Sequence, residues 1–333
     1  MNIIIPMAGM GKRLRPHTLT VPKPLIPVAG KPIVQHLAED LAAMVDEPVK
    51  NIFFITGRFG KEAENHLLQV AEQLGARGHI AYQDEALGTA HAVHCAREGL
   101  KGKVIVAFAD TLFTADFRLD EKKDGVLWVK QIENPSAFGV VKLDNEGNIT
   151  DFIEKPEVFV SDLAMIGIYY FKNGEDLAKE IAYLLENNVT KGGEYQLPDA
   201  LKRMTEKGAK LGPGKVNAWM DCGNPAVTVE TNGRVLDLKY PQSSVDPTAE
   251  VEDSILIPPC YIGAGTKITG SVVGPHVSIG TKCAVTDARL INSIVQNETK
   301  ITAACIENSM IGSHTKVSKP RFQLSVGDYN TVE

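Results

Sequence analysis

The sequence predicts an α/β domain followed by a β-solenoid, and three observations carry that expectation. Short apolar runs alternate with helical stretches through about residue 239. A glycine-containing turn follows the first apolar run. Beyond residue 244 the helical period disappears, and an aliphatic residue recurs about every six positions, often followed by glycine. Strands separated by helices of about 10–15 residues imply βαβ units and a mostly parallel sheet covered on both faces. Recurring short turns imply a β-helix, in which each turn is stable only as part of a stack.

Taken in order, strands are predicted at 2–7, 51–56, 79–82, 104–109 and 125–130, with helices at 32–45, 60–74 and 89–98 between them. Residues 139–143 and 149–153 flank Asp144-Asn145-Glu146-Gly147-Asn148, a polar turn that reads as a hairpin. A strand at 164–171 follows, then helices at 174–185 and 197–207. Next come a strand ending in Trp219-Met220-Asp221 and a helix at 225–238. The solenoid is clearest in Ile262-Gly263-Ala264-Gly265-Thr266-Lys267-Ile268 and Val277-Ser278-Ile279-Gly280-Thr281-Lys282, and recurs at Ile311-Gly312-Ser313-His314-Thr315-Lys316-Val317. An ordinary β-hairpin domain would need alternation at period two, which the Gly-Ala-Gly-Thr-Lys spacer does not give. Two domains are expected, 1–240 and 241–333, in keeping with a chain of 333 residues.

Composition narrows the function classes. The chain is 44% hydrophobic and 23% charged, ordinary for a globular protein. It has neither an apolar run of about 18 residues nor a charged-then-apolar leader, so a cytoplasmic protein without a membrane span is expected. Five scattered cysteines without C-x-x-C spacing argue against a disulfide framework or a zinc site. A net charge of −6 argues against nucleic acid as the main partner.

Against that acidic background, Lys12, Arg13, Arg15, Lys23 and Lys31 crowd the first 32 residues, beside the glycine turn Ala8-Gly9-Met10-Gly11. Glycines let backbone N–H groups approach an anion, and cations neutralise it, so the natural guest is a polyphosphate. By itself the loop could equally be a tight strand-to-helix turn. It lacks the third glycine of a dinucleotide fingerprint, where Leu14 stands, and the Ser or Thr of a Walker loop, where Arg13 follows Lys12. Asp110 and Asp221 each end a predicted strand, where ligands of such sheets bind.

The longer string is more specific. Gly11-Lys12-Arg13-Leu14-Arg15-Pro16, Pro22-Lys23-Pro24-Leu25, Gln83, Leu87-Gly88-Thr89-Ala90-His91-Ala92-Val93, Ala109-Asp110, Phe138-Gly139-Val140, Ile153-Glu154-Lys155-Pro156 and Trp219-Met220-Asp221-Cys222-Gly223 follow one another in the first domain. In order and spacing they resemble the sugar-1-phosphate nucleotidyltransferase family. Two positions depart from its usual Gly-Gly-x-Gly-Thr-Arg-Leu: Met10 replaces a glycine and Lys12 the threonine.

The resemblance implies a Rossmann-like nucleotidyltransferase domain with a mixed sheet and a left-handed β-helix behind it. It implies transfer of a nucleotidyl group from dTTP or UTP to a hexose 1-phosphate, glucose 1-phosphate first, with Mg²⁺ as cofactor. Arg13 and Lys23 would be the catalytic cations. Ala8, Gly9, Gly11, Lys12, Gln83 and Gly88 would bind the nucleotide, and Asp110 and Asp221 the metal. Gly139, Glu154 and Lys155 would hold the sugar phosphate. Tyr169 is open between lining the sugar pocket and filling the core. His91 and His94 have the spacing of a metal pair but no evident third ligand, and Cys222 reads as a packing residue.

Two other readings stay open. One is an N-acetylglucosamine-1-phosphate uridylyltransferase, bifunctional if the solenoid added acetyl transfer. The other is a non-catalytic regulatory subunit, against which the presence of Arg13, Lys23, Asp110 and Asp221 counts. The solenoid itself points to a homo-oligomer or to regulation.

Overall fold

The structure is a computed structural model that describes residues 1–9, 11–115, 123–156, 158–319 and 325–326. Met10, one of the two departures, lies outside the described residues. Contacts divide the chain into two compact units, 1–26 with 31–223, and 27–30 with 224–333.

The first unit opens with the predicted βαβ pattern. Strands β1 (Asn2–Pro6), β2 (Asn51–Thr56), β3 (Arg77–Tyr82) and β4 (Val104–Ala107) alternate with helices α1 (Ile33–Ala43), α2 (Lys61–Gln73) and α3 (Thr89–Cys95). They pair in parallel in the order β4-β1-β2-β3. Ile3, Ile4 and Ile5 on β1 are all 0% exposed, as a central strand buried on both faces requires.

Further strands include β5 (Thr111–Thr114), β6 (Gly125–Gln131), β7 (Gly139–Leu143), β8 (Ile149–Glu154), β9 (Leu163–Phe171), β10 (Leu211–Lys215) and β11 (Ala218–Asp221). Helices α4 (Gly174–Glu186) and α5 (Leu197–Glu206) lie between β9 and β10. Among the described residues the main sheet has nine strands, running β8-β7-β9-β4-β1-β2-β3, with β6 paired to both β9 and β10. β9 is antiparallel to β4, β6 and β7, so the sheet is mixed. The hairpin β7–β8 closes on Asp144, whose carboxylate accepts the N–H groups of Glu146 and Asn148 at 2.9 and 2.8 Å. β5 and β11 form a separate antiparallel ribbon in which Thr111 faces Asp221. The main core joins Ile4, Val106, Leu127, Phe171, Leu177 and Leu201, drawn from sheet and helices alike.

The second unit is a parallel β-helix with three faces, preceded by helix α6 (Pro225–Lys239). On one face Val245 pairs with Ile262 and Ile262 with Ile279, 17 residues on each time. Later coils shorten to 16, as where Ile279 pairs with Val295 and Val295 with Ile311. The aliphatic stacks Ile268–Val285–Ile301 and Val273–Leu290 fill the interior from the other two faces. Buried polar groups inside are satisfied from coil to coil: the Thr266 hydroxyl donates to the Gly280 carbonyl at 2.7 Å and accepts from Cys283 N–H at 3.0 Å.

Helix α6 is capped by Asn224, whose side chain accepts from Val227 N–H at 3.1 Å. Its buried face is unusually polar, with Thr228, Thr231 and Asn232. Asn232 accepts from Ala29 N–H at 2.9 Å and from the Ser278 hydroxyl at 2.7 Å. Among the described residues no helix is long and apolar enough to cross a membrane.

Candidate functional site

Chain segments leaving the carboxyl ends of β1, β3 and β4 bound a cleft of about 460 Å³ in the first unit. Ala8, Gly9, Gly11, Lys12, Arg13, Lys23, Gln83, Gly88 and Asp110 all line it. Nine of the site residues read from the sequence are therefore brought together by the fold.

The glycine turn has its shape for a steric reason. Gly11 has φ of 58°, and a β-carbon on it would stand 2.7 Å from Cβ of Lys23. The Thr18 hydroxyl donates to the Gly11 carbonyl at 2.8 Å and holds the loop against the following segment. Lys12–Leu14 then form a single 3₁₀ turn. That closure leaves Arg13 exposed while the Lys23 side chain is nearly buried, its Nζ 3.6 Å from Oδ2 of Asp110. Of the five cations crowded into the first 32 residues, Lys12, Arg13 and Lys23 line the cleft. Lys31 is bound instead by both carboxylate oxygens of Glu39 at 2.9 Å.

Asp110 and Asp221 are brought to one place by the ribbon β5–β11. Cys222 N–H donates to the Asp110 carbonyl at 3.3 Å, one residue beyond the Thr111–Asp221 pair. Cys222 itself is fully buried. Gly223 comes next and lines the cleft. A β-carbon there would lie 2.7 Å from Oδ2 of Asp221 and 3.3 Å from Nη2 of Arg13, so carboxylate and guanidinium converge over a bare α-carbon.

At the other end of the cleft, Gly88 opens α3 with φ of 107°. A β-carbon on it would strike the backbone of Tyr195, whose carbonyl would be 2.4 Å away. The Gln83 side-chain amide donates to the Gly88 carbonyl at 3.1 Å. Glu194 completes this wall, its carboxylate accepting from Gln196 Nε2 at 2.9 Å. Sequence reasoning missed Glu194. The only local signal was the Gly192-Gly193 turn before it, and its approach to Gly88 is a contact across more than a hundred residues.

Gly139, Glu154, Lys155, Tyr169 and Asp221 are not among the residues that line the cleft. Gly139 and Glu154 face each other across the β7–β8 hairpin, with Oε2 of Glu154 2.7 Å from where a Gly139 β-carbon would sit. Lys155 follows with φ of 44° and its Nζ 3.9 Å from Oε1 of Glu154. Tyr169 is 6% exposed and belongs to the main core. Burial, then the Glu154 and Asp110 carboxylates, push its phenol far above the usual range. The same tyrosine thus feels the hairpin and the cleft.

Cations at a glycine turn, two aspartates brought together by a ribbon and a mixed α/β sheet make a site whose charges suit phosphate-bearing ligands. The chain belongs to the nucleotidyl transferase family, whose profile matches residues 2–237. It is 34% identical over 260 residues to the bifunctional protein GlmU of Methanocaldococcus jannaschii, a match covering 77% of this chain and 59% of that protein. It is 29% identical over 364 aligned positions to a glucose-1-phosphate thymidylyltransferase of Streptomyces antibioticus, covering 100% of this chain and 99% of that one. Among solved structures, a nucleoside-diphosphate-sugar pyrophosphorylase of Vibrio cholerae superposes with a TM-score of 0.60 at 23% identity, covering 69% of this chain and 99% of that one.

Proposed function

We propose that this chain transfers a nucleotidyl group from UTP or dTTP to a hexose 1-phosphate, with glucose 1-phosphate the first candidate, and releases pyrophosphate. The observation that carries the reading is the cleft where Lys23 meets Asp110, with Arg13 and Asp221 both approaching Gly223 at its edge. The full-length match to a thymidylyltransferase supports the same choice.

The chemistry joins two polyanions. An oxygen of the sugar phosphate attacks the α-phosphorus, and the bond from that phosphorus to the bridging oxygen of the departing pyrophosphate breaks. A phosphate monoester has a second pKa of about 6 and is largely dianionic at neutral pH. It needs no general base, so the protein contributes alignment and charge cancellation. Lys23, nearly buried and fixed in direction, is assigned to the α-phosphate. Arg13 is assigned to the leaving pyrophosphate, whose oxygens suit its planar fork. Gly9, Gly11 and Lys12 cradle the triphosphate, and Gln83 and Gly88 meet the base. Lys155 takes the sugar phosphate, and Glu154 with the Gly139 backbone the sugar hydroxyls.

Asp110 and Asp221 fit Mg²⁺, which takes one or two carboxylates and completes its shell with phosphate oxygens and water. Among the described residues no three His, Cys, Asp or Glu side chains gather as a closed metal site. When bound, the ion supplies further charge neutralisation at the phosphates.

The reading is tested by supplying four nucleoside triphosphates against several sugar 1-phosphates and measuring pyrophosphate. Release is expected with UTP or dTTP and glucose 1-phosphate. No release across the matrix would sink it. N-acetylglucosamine 1-phosphate, the alternative that the family resemblance leaves open, is the second sugar to try. Assembly into a homo-oligomer through the solenoid belongs to the same proposal.

A further inference from the structure

We infer that His91 is the residue that sets the hydrogen-bond polarity of Gln83, and through it the choice of base; this rests on the proposed function. A glutamine amide carries two N–H donors at one end and an acceptor at the other. Which end faces a ligand decides what it selects. Here Nε2 of Gln83 stands 3.1 Å from the Gly88 carbonyl, which can only accept. That contact fixes the amide with its nitrogen inward.

The same nitrogen lies 3.2 Å from Nδ1 of His91, in the first turn of α3. Since Nε2 donates, Nδ1 must accept, and the imidazole carries its proton on Nε2. Both donors of Gln83 are then spent within the protein. Its carbonyl oxygen has no hydrogen-bond partner among the described residues, and Gln83 lines the cleft. What the side chain offers a base is therefore an acceptor.

An acceptor at that point favours a base with an imide N–H, as uracil and thymine have at N3. It disfavours cytosine, whose N3 is itself an acceptor and would oppose a lone pair with a lone pair. Gly88 alone would leave one donor of Gln83 unsatisfied and the amide held by a single bond. His91 supplies the second anchor. It acts through Gln83 and is a positioning residue.

The test is equilibrium binding of UTP, dTTP and CTP by calorimetry to the unsubstituted chain, His91→Ala and His91→Asn, with steady-state kinetics beside it. His91→Ala is expected to weaken UTP and dTTP binding about 3- to 10-fold, the worth of one hydrogen bond. CTP binding should change little, so discrimination narrows by the same factor, and KM should carry the loss while kcat stays within about twofold. Asn at 91 can accept from the Gln83 amide through Oδ1 and should recover most of the discrimination. Unchanged discrimination in His91→Ala would overturn the inference. So would equal losses for all three nucleotides in both variants, the mark of a merely structural role. Absence of turnover by the unsubstituted chain would refute the proposed function instead, while the binding ratios would still decide the role of His91.

Discussion

Nζ of Lys23 lies 3.6 Å from the Asp110 carboxylate and 3.5 Å from its backbone carbonyl, so a nearly buried cation is pinned against an exposed anion. The lysine side chain is 10% exposed and the aspartate 57%. The aspartate can therefore reach a ligand while the lysine keeps its direction. A charge fixed in advance costs no reorganisation when the transition state forms, which is where electrostatic catalysis gains most.

Removing that charge should cost rate more than affinity. Lys23→Met is expected to lower kcat by about 10²- to 10³-fold, the range for losing one preorganised donor. Lys23→Arg should not restore it, because Gly11 packs against the start of this side chain and a planar fork needs a different path. Pyrophosphate release under saturating substrates reads the effect, and near-normal kcat in Lys23→Met would refute the assignment.

Gly223→Ala tests the convergence of Arg13 and Asp221. The added methyl would sit 2.7 Å from the aspartate oxygen, so one of the two groups must move. A displacement of about 1 Å near the reacting atoms can cost about 10²-fold. A fall of that order in kcat/KM is expected, with little change in thermal midpoint; wild-type kinetics would show that the two groups need not meet.

Glu180 offers a stability test away from the cleft. It is 5% exposed and bound by Arg203 at 3.0 Å and by Lys207, joining α4 to α5. Removing one partner of a buried charge typically costs about 3–5 kcal/mol. Because Lys207 remains, Arg203→Met should cost about 3 kcal/mol, the lower end of that range, by urea denaturation. A loss below about 0.5 kcal/mol, typical of a surface pair, would mean the carboxylate is effectively solvated.

Acid should destabilise the first unit. Burial lowers the imidazole pKa of His17, His79 and His94 below 6.5, so the unfolded chain binds protons before the folded one does. Their contribution is fully present above pH 6.5 and is lost as pH falls through the folded values. His79 also stacks on Phe53 with ring centroids 4.3 Å apart. The urea midpoint should drop between pH 7 and 5, and less steeply when all three are replaced by Gln. An equal slope in that variant would locate the acid sensitivity elsewhere.

Much of this was legible because it is local. A strand buried on both faces reads as Ile3-Ile4-Ile5, and a solenoid reads as its inward aliphatics. What escaped depends on pairing between distant segments. β10, Leu-Gly-Pro-Gly-Lys, looks like a turn, yet it lies as a parallel strand beside β6. The buried face of α6 mixes Thr228, Thr231 and Asn232 with Val229, Val235 and Leu236, so its weak hydrophobic period does not say what it packs against. In the site, the residue types of the cleft were readable from the motif string. The position of Glu194 against Gly88 was not, nor the removal of Lys31 by Glu39.

The proposed role of Asp110 and Asp221, with the cations beside them, is to serve nucleotidyl transfer. Its most direct test is pyrophosphate release as Mg²⁺ is titrated, in the unsubstituted chain, Asp110→Asn and Asp221→Asn, with circular dichroism to confirm the fold. Release should rise with Mg²⁺ and vanish with chelator in the unsubstituted chain, and fall at least about 10²-fold in each variant. Folded variants that release pyrophosphate at the unsubstituted rate would contradict it.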